Sequence, residues 1–465
     1  MDLSGQTFMD LYGRKILVVG LGKSGLAASR VLREKGASVT ACDIRSLEDL
    51  GPSVKRLIDR GVKVVAGDYF SVNRENTELV VTSPGIPRTE SPLVEAEQQG
   101  IPIWGELELA YRYSPAPFVG ITGTNGKTTT TALVGEILKE ARCPCIVGGN
   151  IGLPLVEEVI RLTPEHIVVA EVSSFQLESI EKFRPQVAAV LNITPDHLDR
   201  HYSMEGYMAA KARILENQQE QDFAVLNYDD MLTRMLATQA RGNVVFFSRL
   251  RQLDQGVYIE DNQVVVNLDG QKVPLLPTAE IRIPGAHNLE NALAAVACTW
   301  VLGISPAKIR DTLRVFPGVP HRLEFVAEIN GVQFINDSKG TNPDAAIKAL
   351  EAYPNPLILI AGGKNKGSDF AELAAKIKER VRTLVLVGQA APDIRDAVER
   401  VGYRNIYQAS TFEEAVLTAA RLAQPGYVVL LSPACASWDM FNSYEERGNL
   451  FKRIVQDLNI RLQKG

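Results

Sequence analysis

Short apolar runs alternate with longer stretches of helical spacing along most of the chain. "KILVVG" at 15–20 is a β-rich run, and "KSGLAASRVLREKG" after it has helical spacing and ends in Gly. "ASVTACD" is a second strand, and "ELVVTSPGIP" is a third that stops at Pro and Gly. Strand, helix, strand in this order predicts a parallel sheet flanked by helices, from about Lys15 to Ser114. "RYSPAPF" then carries the Pro and Ser of a linker.

A second α/β region starts at Phe118, with strands in "HIVVAEVS", "QVAAVLNIT" and "FAVLNYDD". Between about Asn243 and Ile283 the pattern turns β-rich and predicts a small antiparallel insertion. "GAHNLENALAAVACTWVLG" predicts a helix, and the Pro-punctuated "FPGVPHRLEFV" a hinge. A third region repeats the alternation in "PLILIAGGKNKG", "TLVLVG", "NIYQA" and "YVVLLSPACAS". No short-period repeat or low-complexity tract interrupts it. The fold class is α/β in three parts.

Composition narrows the partners more than the fold. Of 465 residues, 45% are hydrophobic and 23% charged, with a formal net charge of -5. No basic run points to nucleic acid. "MDLSGQTFMDLYGRK" lacks the apolar core of a leader, and no apolar run is long enough to insert in a membrane. The expectation is a cytoplasmic chain. The five cysteines are scattered, and Cys143 and Cys145 alone are close, in a spacing unusual for zinc. Small buried thiols are the simpler reading.

The candidate chemistry lies at strand ends. "FVGITGTNGKTTT" joins a strand to a helix through Gly123, Thr124, Asn125 and Gly126, then Lys127, Thr128 and Thr129. This is the P-loop arrangement: backbone N–H groups and a helix N-terminus cradle phosphate, Lys127 reaches the β/γ-phosphates and Thr128 holds Mg²⁺. Ile121 takes the place of the usual first glycine. "VVGLGKSG" sets Gly20, Gly22 and Gly25 in G-x-G-x-x-G spacing, with Asp43 ending the next strand. That is a dinucleotide fingerprint, and a nucleotide-sugar diphosphate suits it equally. Glu171 in "AEVSSFQLE" is a second Mg²⁺ candidate, since hard cations prefer oxygen. His197 and His201 in "DHLDRH" are four apart, but without a third soft ligand His197 reads better as a polar contact or Mg²⁺ ligand. Lys211 alone would be a solvated helix face. "NDSKGTNPDAA", "AGGKNKG" and "SPACASWDMFNSYEERG" each follow a strand, where open α/β sheets bind ligands.

Together these residues resemble the Mur ligases, the ATP-dependent amide-forming enzymes of peptidoglycan precursor synthesis. The likeness covers essentially the whole chain. It is most specific in "GITGTNGKTTT", "EVSSFQLE", "LNITPDHLDRH", "GAHNLENALAA", "PHRLE", "NDSKGTNP" and "SPACASWDMF". Within the family it is most similar to the D-glutamate-adding members.

The resemblance implies three domains: 1–114, Rossmann-like, for the UDP substrate; 115–320, P-loop ATPase-like, for ATP; and 321–465, Rossmann-like, for the amino acid. It implies UDP-N-acetylmuramoyl-L-alanine, D-glutamate and ATP as substrates, two Mg²⁺ ions and a monomer. Gly123 to Thr129, with Asn288, Asn291, Arg322, Asp337 and Lys339, would bind ATP; Asn336 and His321 would lie near the nucleotide. Lys127, Glu171, His197 and Lys211 would be catalytic. Thr128, Glu171, His197 and a carbamylated Lys211 would hold metal. Gly22, Lys23, Ser24, Ile44, Arg45 and Ser83 match the UDP side, though Lys23 and Ile44 vary the usual loop; Asn150 and Ser173 would line the same substrate's cleft. Thr341, Lys366, Ser437, Trp438 and Tyr444 would take D-glutamate, Tyr444 standing where relatives often have Phe. Hinges near Ser114 and Pro320 would let the outer domains close. The competing readings are a ligase of the same type with another amino acid, folylpolyglutamate-type ligases included, an NAD-dependent dehydrogenase on the first domain, and a non-enzymatic nucleotide switch.

Overall fold

A computed structural model describes residues 11–463. Most of the N-terminal stretch read above for a leader lies outside them. The chain forms two compact units. One runs to Glu280 and includes Glu290–Leu313; the other is Ile281–Leu289 with everything from Arg314 onward.

The first unit holds two sheets. The strands β1 (Lys15–Val19), β2 (Ser38–Asp43), β3 (Lys63–Ala66), β4 (Leu79–Thr82) and β5 (Ile103–Gly105) pair in the order β3-β2-β1-β4-β5. All pairs are parallel. The strand expected third is therefore the fourth. The runs "KVVA" and "IWG" are too short to announce themselves as β3 and β5.

The second sheet comprises β6 (Phe118–Thr122), β7 (Cys145–Gly149), β8 (Ile167–Glu171), β9 (Val187–Val190), β10 (Phe223–Asn227), β11 (Asn243–Ser248), β12 (Gly256–Glu260), β13 (Gln263–Leu268) and β14 (Gln271–Pro277). Their order is β14-β13-β12-β11-β10-β9-β6-β8-β7. The expected antiparallel insertion is narrower than the sequence suggests. β11 pairs parallel with both β10 and β12, and only β12 to β14 run antiparallel, as an extension of the same sheet. Central β6 and β9 are buried at every residue, as their continuous apolar runs require.

"RYSPAPF" is packed rather than loose. Ser114 is buried, and its Oγ accepts from Ala116 N and donates to Ala116 O, both at 3.1 Å. Ser114 thus lies inside one compact unit. The helix Glu106–Tyr113 before it is anchored by acids. Buried Glu108 accepts from the amides of Glu181, Lys182 and Phe183 at 2.9–3.1 Å and from Arg112 Nε at 2.6 Å. Glu106 accepts from Val156 N at 2.7 Å, and burial pushes its carboxyl up to about 7.

In the second unit, β15 (Glu324–Ile329), β16 (Val332–Asn336), β17 (Leu357–Ala361), β18 (Val381–Leu386), β19 (Ile406–Gln408) and β20 (Val428–Leu431) pair in the order β15-β16-β20-β17-β18-β19. Only β15 is antiparallel. Apolar clusters cover both faces. Among the described residues no helix is long and apolar enough to cross a membrane.

Candidate active site

In the first unit, β9, β6, β8 and β7 are consecutive neighbours, so the loops at their carboxyl ends share one edge. The loop after β6 carries Gly123 at φ +150° and Gly126 at φ +88°. Gly126 caps the helix Lys127–Glu140, and a Cβ there would collide with Asn291 Oδ1. Only glycine fits both constraints. Lys127 Nζ donates to Gly123 O and Thr124 O, each at 2.8 Å. Thr124 Oγ1 accepts from Thr194 N and donates to Thr194 O, both at 3.0 Å, so that hydroxyl ties loops together. Thr129 is buried, and its Oγ1 has no hydrogen-bond partner among the described residues.

Glu171 ends β8, only 2% exposed. Its Oε1 accepts from Asn150 Nδ2 at 2.8 Å, while Oε2 is buried with no hydrogen-bond partner among the described residues. A buried carboxylate oxygen left in this state suits a cation, because desolvation without a partner is costly. Asn150 therefore orients Glu171. Ser173 caps a short helix, its Oγ accepting from Gln176 N at 3.2 Å in a capping box.

Lys211 is buried, not the solvated residue its spacing suggests. It is 1% exposed and its Nζ donates to Gly123 O at 2.8 Å, the carbonyl that Lys127 also holds. Burial pushes its pKa well below the usual lysine value, Lys127 adds to this, and Asp196 opposes it. His201 is committed to packing: Nε2 lies 2.9 Å from Ser174 Oγ, the ring stacks on Phe175, and burial lowers its pKa. His197 is half-buried at φ +52°, 3.6 Å from Asp196 Oδ2. Among the described residues no three His, Cys, Asp or Glu side chains gather as a metal site, so Glu171, Asp196 and His197 do not form one.

At the first sheet, Ser83 Oγ donates to Gly20 O at 2.7 Å and fixes the Gly-rich turn, and a Cβ on Gly25 would strike Gly20 O. Asp43 is not free for a ribose. It accepts from Leu21 N at 2.7 Å, from Arg45 Nε at 3.0 Å and from Arg45 Nη2 at 2.8 Å. Burial works to raise its pKa, but these bonds prevail and hold it below the usual carboxylate range. Gly22, Lys23 and Ile44 are exposed, with Ser24 half-buried.

In the second unit, β16, β20 and β17 are adjacent, and their carboxyl ends carry the other three motifs. Asp337 accepts from Ser432 Oγ at 2.7 Å; burial pushes its carboxyl up to about 6, with Arg322 opposing. His321 Nδ1 lies 2.9 Å from Asn336 Nδ2. Lys339 Nζ sits 5.4 Å from the centre of the Tyr444 ring. Lys364 and Ala436 exchange backbone hydrogen bonds, which brings the loop of Lys366 beside that of Ser437. Lys366 and Trp438 are exposed, Ser437 is buried, and Thr341 is half-buried. Asn288 belongs to this unit and donates to Pro284 O at 2.7 Å.

Three family profiles match the chain. The N-terminal domain of MurD-like Mur ligases matches residues 14–105, the Mur ligase middle domain 121–299, and the Mur ligase glutamate ligase domain 321–435. The chain belongs to the Mur ligase family. Among its relatives, the UDP-N-acetylmuramoylalanine–D-glutamate ligase of Pelotomaculum thermopropionicum is 55% identical over 97% of this chain and 99% of that protein. The enzyme of that name from Clostridioides difficile is 45% identical over 97% and 100%. Solved Mur ligases share the fold at low identity. MurF of Acinetobacter baumannii has a TM-score of 0.62 at 18% identity, covering 94% of this chain and 93% of that one. MurC of Thermotoga maritima has 0.59 at 21%, covering 95% and 99%.

Two residues of this Mur ligase escaped the sequence reading. Asn192, after β9, pairs with the Asn125 peptide in the loop after β6, where the sequence showed only the end of the run "QVAAVLNIT". Arg447, 1% exposed, donates to Ser338 O at 2.8 Å and to Cys435 O at 3.2 Å, joining the loops after β16 and β20. "YEERGN" gives no sign of a buried guanidinium.

Proposed function

We propose that this Mur ligase joins D-glutamate to UDP-N-acetylmuramoyl-L-alanine in peptidoglycan precursor synthesis, with ATP converted to ADP and phosphate. The likeness to D-glutamate ligases over 97% of the chain supports the substrates. The observation that carries the chemistry is the unpartnered, buried Oε2 of Glu171 on the sheet edge that also bears the Gly126–Lys127 turn.

A carboxylate is a poor electrophile. Attack of the substrate carboxylate on the γ-phosphorus of ATP expels ADP and leaves an acyl phosphate. The amine of D-glutamate adds to that carbonyl, loses a proton and expels phosphate, leaving the amide. Both steps need positioning and charge neutralisation. The first helical turn after Gly126 cradles phosphate, and Lys127 shifts from its loop carbonyls to the γ-phosphate. Asn288, Asn291, Arg322, Asp337 and Lys339 serve the nucleotide; Thr341, Lys366, Ser437, Trp438 and Tyr444 serve D-glutamate; Gly22 to Ser24, Ile44 and Arg45 serve the UDP group. Ser83, Ser173 and Asn150 shape its cleft.

Bound Mg²⁺ supplies charge neutralisation between the two anions. Thr128, Glu171 and His197 would hold it, with Lys211 if carbamylated. Burial lowers the Lys211 pKa and so favours the neutral amine, whose lone pair addition to CO₂ requires, which supports that modification. We assign domain boundaries at 114/115 and 320/321, a monomeric state and a cytoplasmic location.

The test is ADP release with Mg²⁺-ATP and UDP-N-acetylmuramoyl-L-alanine, adding single amino acids and weighing the product. Release dependent on D-glutamate, with a product one glutamyl unit heavier, is expected. Dependence on another amine would reassign the third substrate. No release with any amine would refute the ligase reading.

A further inference from the structure

We infer that Asn192 is a positioning residue for the phosphate loop, acting by pairing with the Asn125 peptide. The inference rests on the ATP-dependent reading above. The β6–β9 ladder continues past both strands, through Leu191 N to Thr122 O at 3.0 Å and Thr124 N to Asn192 O at 2.9 Å. Beyond that point the side chain takes over. Asn192 Oδ1 accepts from Asn125 N at 2.8 Å, and Asn192 Nδ2 donates to Asn125 O at 3.0 Å. One carboxamide thus satisfies both the donor and the acceptor of one loop residue, as a neighbouring strand would.

This pairing is specific in chemistry. Among side chains of this size only a carboxamide both accepts and donates in one plane. An aspartate keeps the acceptor, loses the donor, and sets a negative charge against Asn125 O beside a phosphate site. An alanine loses both bonds. The pairing fixes the Asn125 peptide immediately before Gly126, whose left-handed turn starts the helix. Orientation of the loop therefore depends on Asn192, although Asn192 need not touch the nucleotide.

The experiment measures equilibrium binding of Mg²⁺-ATP, and separately of UDP-N-acetylmuramoyl-L-alanine, to full-length wild type, Asn192→Ala and Asn192→Asp. Thermal melting is followed in parallel. The expected result is an ATP Kd raised about tenfold in Asn192→Ala, the scale of losing one or two neutral hydrogen bonds. Asn192→Asp should lose more, because of its charge. Affinity for the UDP substrate should stay within about twofold in both. ATP affinity unchanged in both variants would overturn the inference. So would equal losses for both ligands that track the fall in melting temperature. The aspartate variant is isosteric and decides the matter alone if the alanine variant does not fold. Binding of ATP needs no amino acid. A wild type that binds ATP but adds some other amine would remove the proposed substrate and leave the role of Asn192 standing.

Discussion

Asn150 holds one oxygen of Glu171 and leaves the other for the cation of the proposed reaction. Glu171→Gln should lower turnover at least about 100-fold with little change in melting temperature, since the amide keeps the bond to Asn150. Asn150→Ala should weaken Mg²⁺ dependence by about 10–100-fold, as removing a partner that orients a ligand does; a magnesium titration of turnover checks both. Lys211 bears on pH. Its folded pKa is depressed below the ordinary lysine value of 10.5, so the unfolded chain binds more protons between the two pKa values. Its stabilising contribution is complete above 10.5 and is lost as pH falls toward the folded pKa. Lys211→Met should therefore melt higher than wild type at pH 7, with a gain that shrinks toward pH 10.5, and should be inactive. Removing bicarbonate should lower wild-type turnover if the amine is carbamylated. Residue placement was legible where a motif fixes it, as for Lys127 at a helix start and Glu171 at a strand end. It was illegible where burial decides it. Nothing in "MAAKARI" says that Lys211 is dry, and nothing in "ACDIR" says that Arg45 folds back onto Asp43.

Elements were legible where apolar runs are long and continuous, as in β6, β8 and β17. They were missed where a strand is three or four residues and only half-buried, as in Lys63–Ala66. The direction of β11 was misjudged because pairing direction depends on partners distant in sequence. The helix Glu106–Tyr113 shows what such distance hides: Glu108 receives three consecutive backbone amides some 70 residues away. Glu108→Ala would leave those amides unpaired in a dry setting and Arg112 with Glu181 as its remaining acid, so denaturant unfolding should show a loss of roughly 3–5 kcal/mol. A loss under about 1 kcal/mol would mean that the amides find other acceptors.

At the scale of the molecule, two compact units predict calorimetric unfolding that departs from a single two-state transition. Asp337 identifies the second unit's transition. Its carboxyl, pushed up to about 6 from 3.8, keeps a proton in the folded state that the unfolded chain has released. The stability this confers is present below 3.8 and is lost as pH rises through about 6. Asp337→Asn should therefore raise the second unit's transition at pH 7.5, leave it unmoved at pH 3.5, and not shift the first unit's at either. The three-part αβ alternation was legible because each sheet carries its own strand–turn–helix punctuation. The burial of Ser114 was not, because Pro and Ser signal a turn whether or not it is buried.

The division of the chain also sets an order of events during synthesis. Residues 281–289 leave the ribosome before 290–313, yet they belong to the second unit, while the later segment completes the first. The first unit therefore closes its core with a strand of foreign chain already threaded out of it. That short segment then waits for partners such as Val315, Gly318 and Ala352, on the order of several seconds of translation later. In a nascent chain, Ile281 and Ile283, both buried in the finished protein, stay uncovered over that interval and offer a chaperone a place to hold.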